Sequence, residues 1–241
     1  MLNSKLATYY HRSRVGETGR VFAEVKLVDL GEIPIRRINF ATSSDRRAIY
    51  LEDLRQLYAL HLTALHEHDE NDFQWALDFS NNRLSQRPEA SDVVHDLLVF
   101  LAEEMLSLNK VRHVVQHEFV DWLADTLKIQ PYPDKKGKIG IDSLKKKSEL
   151  LNYWGDYQKG EKALEFEVIK DILQDKENTK RYTVSITERL LANVEGCYRQ
   201  SLDKILPLKR QLEYTDKLID KVVYCLYGLT EDEILVVEGP A

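Results

Sequence analysis

The sequence predicts a mainly α fold: long antiparallel helices with a small α/β piece at the N-terminus. Three observations lead there. From residue 50 onward, apolar side chains recur at three- and four-residue steps, the signature of helices with one buried face. Only one apolar run in the N-terminal part, residues 21–28 (VFAEVKLV), reads as a strand. Glycine and proline number ten and six in 241 residues, too few to punctuate an all-β chain. With 43% hydrophobic and 31% charged residues, the composition supports a real core under a charged surface. The length suffices for one large domain or two small ones. The pattern divides the chain into a mixed piece, 1–48, and a helical domain, 49–241.

Taken in order, residues 2–11 read as a short helix and Gly16 and Gly19 bracket a turn. A strand over 21–28 follows, then a short extended piece around Pro34 and a polar connection over 36–47. Leu51, Leu54, Leu57, Tyr58, Leu62 and Leu65 make the first helical stripe, and a shorter helix covers 72–84. Val94, Leu97, Leu98, Leu101, Met105 and Leu108 form a seam that Phe119, Trp122 and Leu123 extend. That seam is either one helix of about 35 residues or two with a break near 109–112; such lengths are commoner in antiparallel helical pairs. A lysine-bearing loop spans 131–140, and short helices are expected near 141–153 and 160–175. Two long helices close the pattern, near 183–205 and 208–227, with Pro207 at the joint, where a first-turn proline is tolerated. The expected packing is around Leu97, Leu101, Phe119, Trp122, Leu190, Ile219 and Val223.

Two cysteines, Cys197 and Cys225, cannot build a disulfide framework and read as buried thiols on helices. The opening MLNSKLATYYHRSR has no apolar core of signal-peptide length, and no run approaches a membrane span. The expectation is a cytoplasmic protein without a membrane partner. The formal net charge is −6, unevenly spread. Residues 1–50 hold nine Lys and Arg against five Asp and Glu, residues 51–134 six against sixteen, and the remainder nineteen of each. Of these three parts only the first is net basic, so a phosphate-contacting surface is expected there.

Several constellations resemble catalytic or metal sites without completing one. Glu24-Val25-Lys26 matches half of a magnesium nuclease site, but only Glu17 precedes it as a second carboxylate, and strand alternation produces such triplets freely. His113 and His117 share a helix face at i, i+4, and His61, His66 and His68 cluster beside Glu67, Asp69 and Glu70. Neither group reaches three converging ligands in a recognised pattern, so they read as solvated histidines, and no metal ligand is assigned. The runs Lys135-Lys136 and Lys145-Lys146-Lys147 read as solvated faces that can touch phosphate if folded beside the N-terminal piece. The stronger DNA candidates are Arg12, Arg14, Arg20, Arg36, Arg37, Arg46 and Arg47, which can fork onto guanine or clamp phosphate, with Tyr9 and Tyr10 beside them. The plainer reading is that one tyrosine packs in the core and the arginines keep the surface soluble.

The C-terminal stretch YTDKLIDKVVYCLYGLTEDEILVVEG (214–239) is the most specific. Leu218, Ile219, Val222, Val223, Leu226 and Tyr227 form one stripe, Gly228 falls where a left-handed cap belongs, and Thr230 with Glu233 makes a capping box. This wording resembles the end of the fused type IIG restriction–modification enzymes and related adenine-specific DNA methyltransferases. Three stretches agree, in family order: LNSKL at 2–6 followed by Tyr9-Tyr10, FAEVKLVDLGEIPI at 22–35, and DVVHDLLVFLAEEMLSLNK at 92–110. Residues 140–153 continue the match weakly.

The resemblance implies that residues 1–48 are part of a TaqI-like target-recognition (specificity) region and that the rest is the helical tail. It implies double-stranded DNA as partner, and a separate methyltransferase or nuclease chain. The family's Asn-Pro-Pro-Tyr-type motif and its cofactor loop have no counterpart here; Gln130-Pro131-Tyr132-Pro133 lacks the Asn and splits the prolines. The resemblance therefore implies S-adenosylmethionine and magnesium only for an intact enzyme whose catalytic part lies upstream of Met1, and no catalytic residue is assigned to this chain. Two functions follow from different classes. One is a DNA-recognition and support module, non-catalytic alone; the other is a structural helical scaffold that contacts protein only.

Overall fold

The computed structural model describes residues 4–15, 31, 33–68 and 71–239. The turn expected at Gly16 and Gly19 and the strand expected over 21–28 lie outside the described residues. Those described are mainly helical, and their one β contact is an isolated antiparallel bridge between Ile129 and Tyr182. Nine α-helices occur among them: α1 (Lys5–Val15), α2 (Ser44–His68), α3 (Gln74–Leu84), α4 (Ser91–Leu127), α5 (Lys147–Leu151), α6 (Phe166–Gln174), α7 (Lys176–Thr179), α8 (Glu188–Tyr227) and α9 (Glu231–Glu238). Single 3-10 turns occur at Gly140–Ser143 and Tyr157–Lys159. The chain folds as two compact units, one of residues 1–106 with 214–241 and one of residues 107–213.

In the first unit α1 runs to Val15, past the expected residue 11. Its first turn is capped from two directions: the Ala7 amide donates to Ser4 Oγ at 3.3 Å, and the Lys5 amide donates to Asp220 Oδ1 at 2.8 Å. α2 begins at Ser44, so Arg46 and Arg47, expected in a polar connection, are helical. The reason lies in Asp92, whose carboxylate accepts from the Thr42 amide at 2.7 Å and the Thr42 hydroxyl at 2.9 Å and so fixes the chain just before the helix. Leu54, Tyr58 and Leu65 of the predicted stripe are buried with Leu97, Leu101, Leu218, Val222, Val223 and Leu226, and Ile219 packs against them half-buried. Two tyrosines carry their hydroxyls into this core with partners. Tyr58 bonds Thr215 Oγ1 at 2.7 Å, and Tyr214 accepts from Trp75 Nε1 at 3.0 Å while donating to the Asp72 carbonyl at 2.8 Å. Burial pushes the Tyr58 phenol up to about 12. α8 ends as its sequence predicts: Gly228 takes φ +67°, and Thr230 and Glu233 exchange the two bonds of a capping box to start α9, which packs against α1.

The second unit is built on Phe119, Val120, Leu123, Leu150, Tyr153, Ile169, Leu173, Leu191, Val194, Tyr198 and Ile205, all buried, with Trp122 and Leu190 packed half-buried against them. The short helices are smaller than expected. Residues 141–153 reduce to a 3-10 turn and the five-residue α5, while 160–175 reduce to α6, whose apolar residues all lie on one side. Gly155 explains part of this: at φ +74° a Cβ there would collide with the Lys162 carbonyl oxygen, so the chain after α5 folds back on itself.

The long helices correct one boundary and settle another. α4 is continuous over 37 residues; nothing between residues 109 and 112 breaks it, and Arg112 there bonds Asn109 and Gln116 along the same helix. The expected joint at Pro207 is absent, because α8 passes through it as a single 40-residue helix. A helix-interior proline forfeits one backbone hydrogen bond and costs about 3 kcal/mol. Here its ring is exposed while Ile205 and Leu212, on either side, are fully buried, and burying such residues contributes about 1.5–3 kcal/mol each. Packing therefore outweighs the local break.

Candidate nucleic-acid interface

The arginines singled out by sequence separate into two groups once their surroundings are known. Arg36 and Arg47 are tied to acidic partners inside the first unit. Arg36 donates to Glu89 Oε1 at 2.5 Å and to the Leu226 carbonyl in the last turn of α8, while its own amide donates to the Tyr227 hydroxyl at 3.2 Å. A guanidinium at a helix C-terminus meets carbonyls that lack helical partners. Arg47 forks onto Asp96, Nε to Oδ2 at 2.6 Å and Nη2 to Oδ1 at 2.5 Å, and lies over the Phe40 ring at 4.8 Å. The hydrogen bond to Asp96 raises the Arg47 guanidinium further above its ordinary value. Burial pushes the Asp96 carboxyl up, but bonds from Arg47 and His95 more than reverse this and leave it below the usual carboxylate range.

Arg12, Arg37 and Arg46 are exposed, and none has an ion pair among the described residues. Arg14, also exposed, donates to the Tyr10 hydroxyl at 3.2 Å along α1. Tyr9 is exposed, whereas Tyr10 is half-buried against a hollow lined by Leu6, Pro34, Val223 and Tyr227. Arg20 lies outside the described residues, as do Glu17, Glu24 and Lys26 of the nuclease-like triplet.

The histidine clusters have local uses. The rings of His113 and His117 are 4.2 Å apart on α4, and His117 approaches Asp121 at 3.9 Å. His61 stacks on Trp75 at 5.5 Å and faces Asp72 at 3.7 Å. No group of three His, Cys, Asp or Glu able to hold a metal occurs among the described residues. Cys197 and Cys225 are half-buried free thiols, and burial raises the Cys225 thiol above its ordinary value. No helix of the described residues is long and apolar enough to cross a membrane.

Sequence reading missed the carboxylates that decide which arginines are available. Asp96 and Glu89 lie in a stretch that is strongly acidic overall, and their arginine partners, forty-nine and fifty-three residues earlier, have no local signal. No protein-family model, no characterised protein and no solved structure matches the chain at significant similarity.

Proposed function

We propose that the chain is a DNA-recognition and support module of the kind that ends a fused restriction–modification methyltransferase, acting on double-stranded DNA and without catalysis of its own. The observation that carries the reading is the arginine division: Arg12, Arg37 and Arg46 stay exposed, with no ion pair among the described residues, in the part of the chain that is net basic. The family resemblance is most specific in the wording of residues 214–239, where the glycine stop and the capping box form as written. On this reading residues 1–48 are a recognition piece with mixed α/β structure, and residues 49–241 are the helical support. Antiparallel pairing of α4 with α8 is part of it. Within the first unit residues 94–101 of α4 share a core with residues 218–226 of α8, and within the second unit residues 119–127 share one with 191–205. A cytoplasmic setting, a methyltransferase or nuclease chain as partner, and S-adenosylmethionine and magnesium in the intact enzyme belong to the same proposal.

A second reading has its own observation. Arg36 and Arg47 serve the fold, so part of the N-terminal charge is structural, and a scaffold contacting only protein would need no more than that. The test is binding of a short DNA duplex followed against salt. Replacing Arg12, Arg37 and Arg46 by alanine is expected to lower the log–log salt slope by about one unit per lost phosphate contact. Unchanged binding in that variant puts the scaffold reading ahead. Methyl transfer from labelled S-adenosylmethionine by the chain alone would refute the non-catalytic part.

A further inference from the structure

The second unit gathers positive charge that the sequence keeps in two separate stretches. The Ile129–Tyr182 bridge joins residues 128–147 to residues 175–183, reinforced by Gln130 N donating to the Arg181 carbonyl at 2.8 Å and Thr183 N to the Lys128 carbonyl at 3.2 Å. Buried Asn178 adds a second link. Its Oδ1 accepts from the Lys145 amide at 2.7 Å, and its Nδ2 donates to the Lys145 carbonyl at 3.3 Å and the Ile172 carbonyl at 2.8 Å. The two stretches together carry ten Lys and Arg against four Asp and Glu.

The four acids are occupied. Asp134 holds a turn by accepting from the Lys136 and Lys138 amides, both at 2.8 Å, and Asp175 caps α7 through the Glu177 and Asn178 amides. Asp142 pairs with Lys147 at 2.5 Å and Glu177 with Lys180 at 2.5 Å. The triple lysine that stands out in the sequence is thus the compensated part: Lys145 also meets Asp175 at 3.6 Å and Lys146 meets Glu149 at 3.9 Å. Lys128, Lys135, Lys136, Lys138 and Lys176 are exposed with no ion pair among the described residues. Arg181 spends its donors on neutral oxygens, Ser143 Oγ at 3.1 Å and the Tyr132 carbonyl at 2.7 Å, and lies 5.8 Å from the exposed Tyr132 ring.

We propose that this lysine face of the second unit binds the phosphate backbone of nucleic acid, with Tyr132 and Arg181 at its aromatic edge. The proposal deepens the DNA-binding reading and shares its partner, but it moves phosphate contacts to residues 128–181. Exposed lysines on fixed turns suit a polymer whose charges lie under 2 Å apart along its axis, on the order of one per 1.7 Å in a duplex. An exposed tyrosine beside an arginine is the surface on which bases and sugars rest.

The test uses the full chain, a fluorescent duplex and a single strand of the same sequence, with poly-glutamate and phosphatidylserine vesicles as competitors. The lysine variant replaces Lys135, Lys136, Lys138 and Lys176 by alanine; all four are exposed, and circular dichroism checks that it folds. The expected result is a loss of affinity of about tenfold or more and a salt slope lower by about three units on the duplex. Loss in the lysine variant alone, with the Arg12, Arg37 and Arg46 variant unaffected, sustains this proposal and sinks the N-terminal placement. Loss in the arginine variant alone overturns the lysine face while sparing the DNA reading. Competition by poly-glutamate or vesicles equal to that by unlabelled DNA overturns nucleic acid as the partner, as does a wild-type chain that binds neither probe.

Discussion

Arg47 closes a two-pronged ion pair on Asp96, forty-nine residues further along the chain, with both side chains largely withdrawn from water. The pair fastens the first turn of α2 to the first turns of α4. Two parallel N–H bonds to one carboxylate are a geometry that arginine has and lysine lacks. Arg47→Ala is expected to cost about 2–3 kcal/mol in urea unfolding, and Arg47→Lys to recover little of it. The Asp96 share is present above the ordinary carboxylate value and disappears as the pH falls through its depressed one. A lysine variant as stable as the parent would show that only the charge matters.

Asp220 predicts the opposite pH trend. It is buried, which raises its carboxyl; the Lys5 amide pulls it back, Asp216 and Glu238 push again, and it settles at about 6 against an ordinary 3.8. The folded chain therefore holds this proton more tightly than the unfolded chain. Its contribution is fully present below the ordinary value and fades as the pH rises toward 6. Asp220→Asn keeps an acceptor for the Lys5 amide and removes the charge. Between pH 4 and pH 7.5, the stability of the Asn variant relative to the parent should improve by about 2.4 kcal/mol. A difference that does not vary with pH would rule out the raised carboxyl.

Pro207 is exposed inside an unbroken α8. Pro207→Ala restores a backbone donor and is expected to stabilise the chain by about 1–3 kcal/mol in thermal unfolding. A helix that ended at residue 206 would instead leave the substitution neutral or harmful.

Gly155 and Gly160 both take positive φ, +74° and +65°, but only Gly155 has backbone pressed against the place of its missing Cβ. Gly160→Ala is expected to cost about 1–2 kcal/mol for the left-handed backbone alone. Gly155→Ala adds a collision with the Glu161 and Lys162 carbonyl oxygens and should cost about 3 kcal/mol or more. Equal losses in denaturant titrations would mean that the chain there gives way freely.

Periodicity found the helices because their stripes are strong: Leu54, Tyr58 and Leu65 on α2 are as buried as their spacing demands. It misjudged Pro207 because local rules weigh the missing hydrogen bond and not the burial of Ile205 and Leu212 on either side. It put Arg47 in a loop because the residue that fixes the start of α2, Asp92, is remote in sequence. The same blindness applied to the candidate interface. Arginines were legible as charge, but their acidic partners at positions 89 and 96 were not, and the most conspicuous lysines, 145–147, proved to be the neutralised ones.

The Asn178 link separates the scaffold from the charge it displays. Its bonds run to the backbone of residues 145 and 172, and none depends on a lysine side chain. The five exposed lysines that have no ion pair among the described residues can therefore be gained, lost or exchanged one at a time by mutation without disturbing the frame beneath them. Selection has in that face a dial for electrostatic strength that turns independently of whether the protein folds.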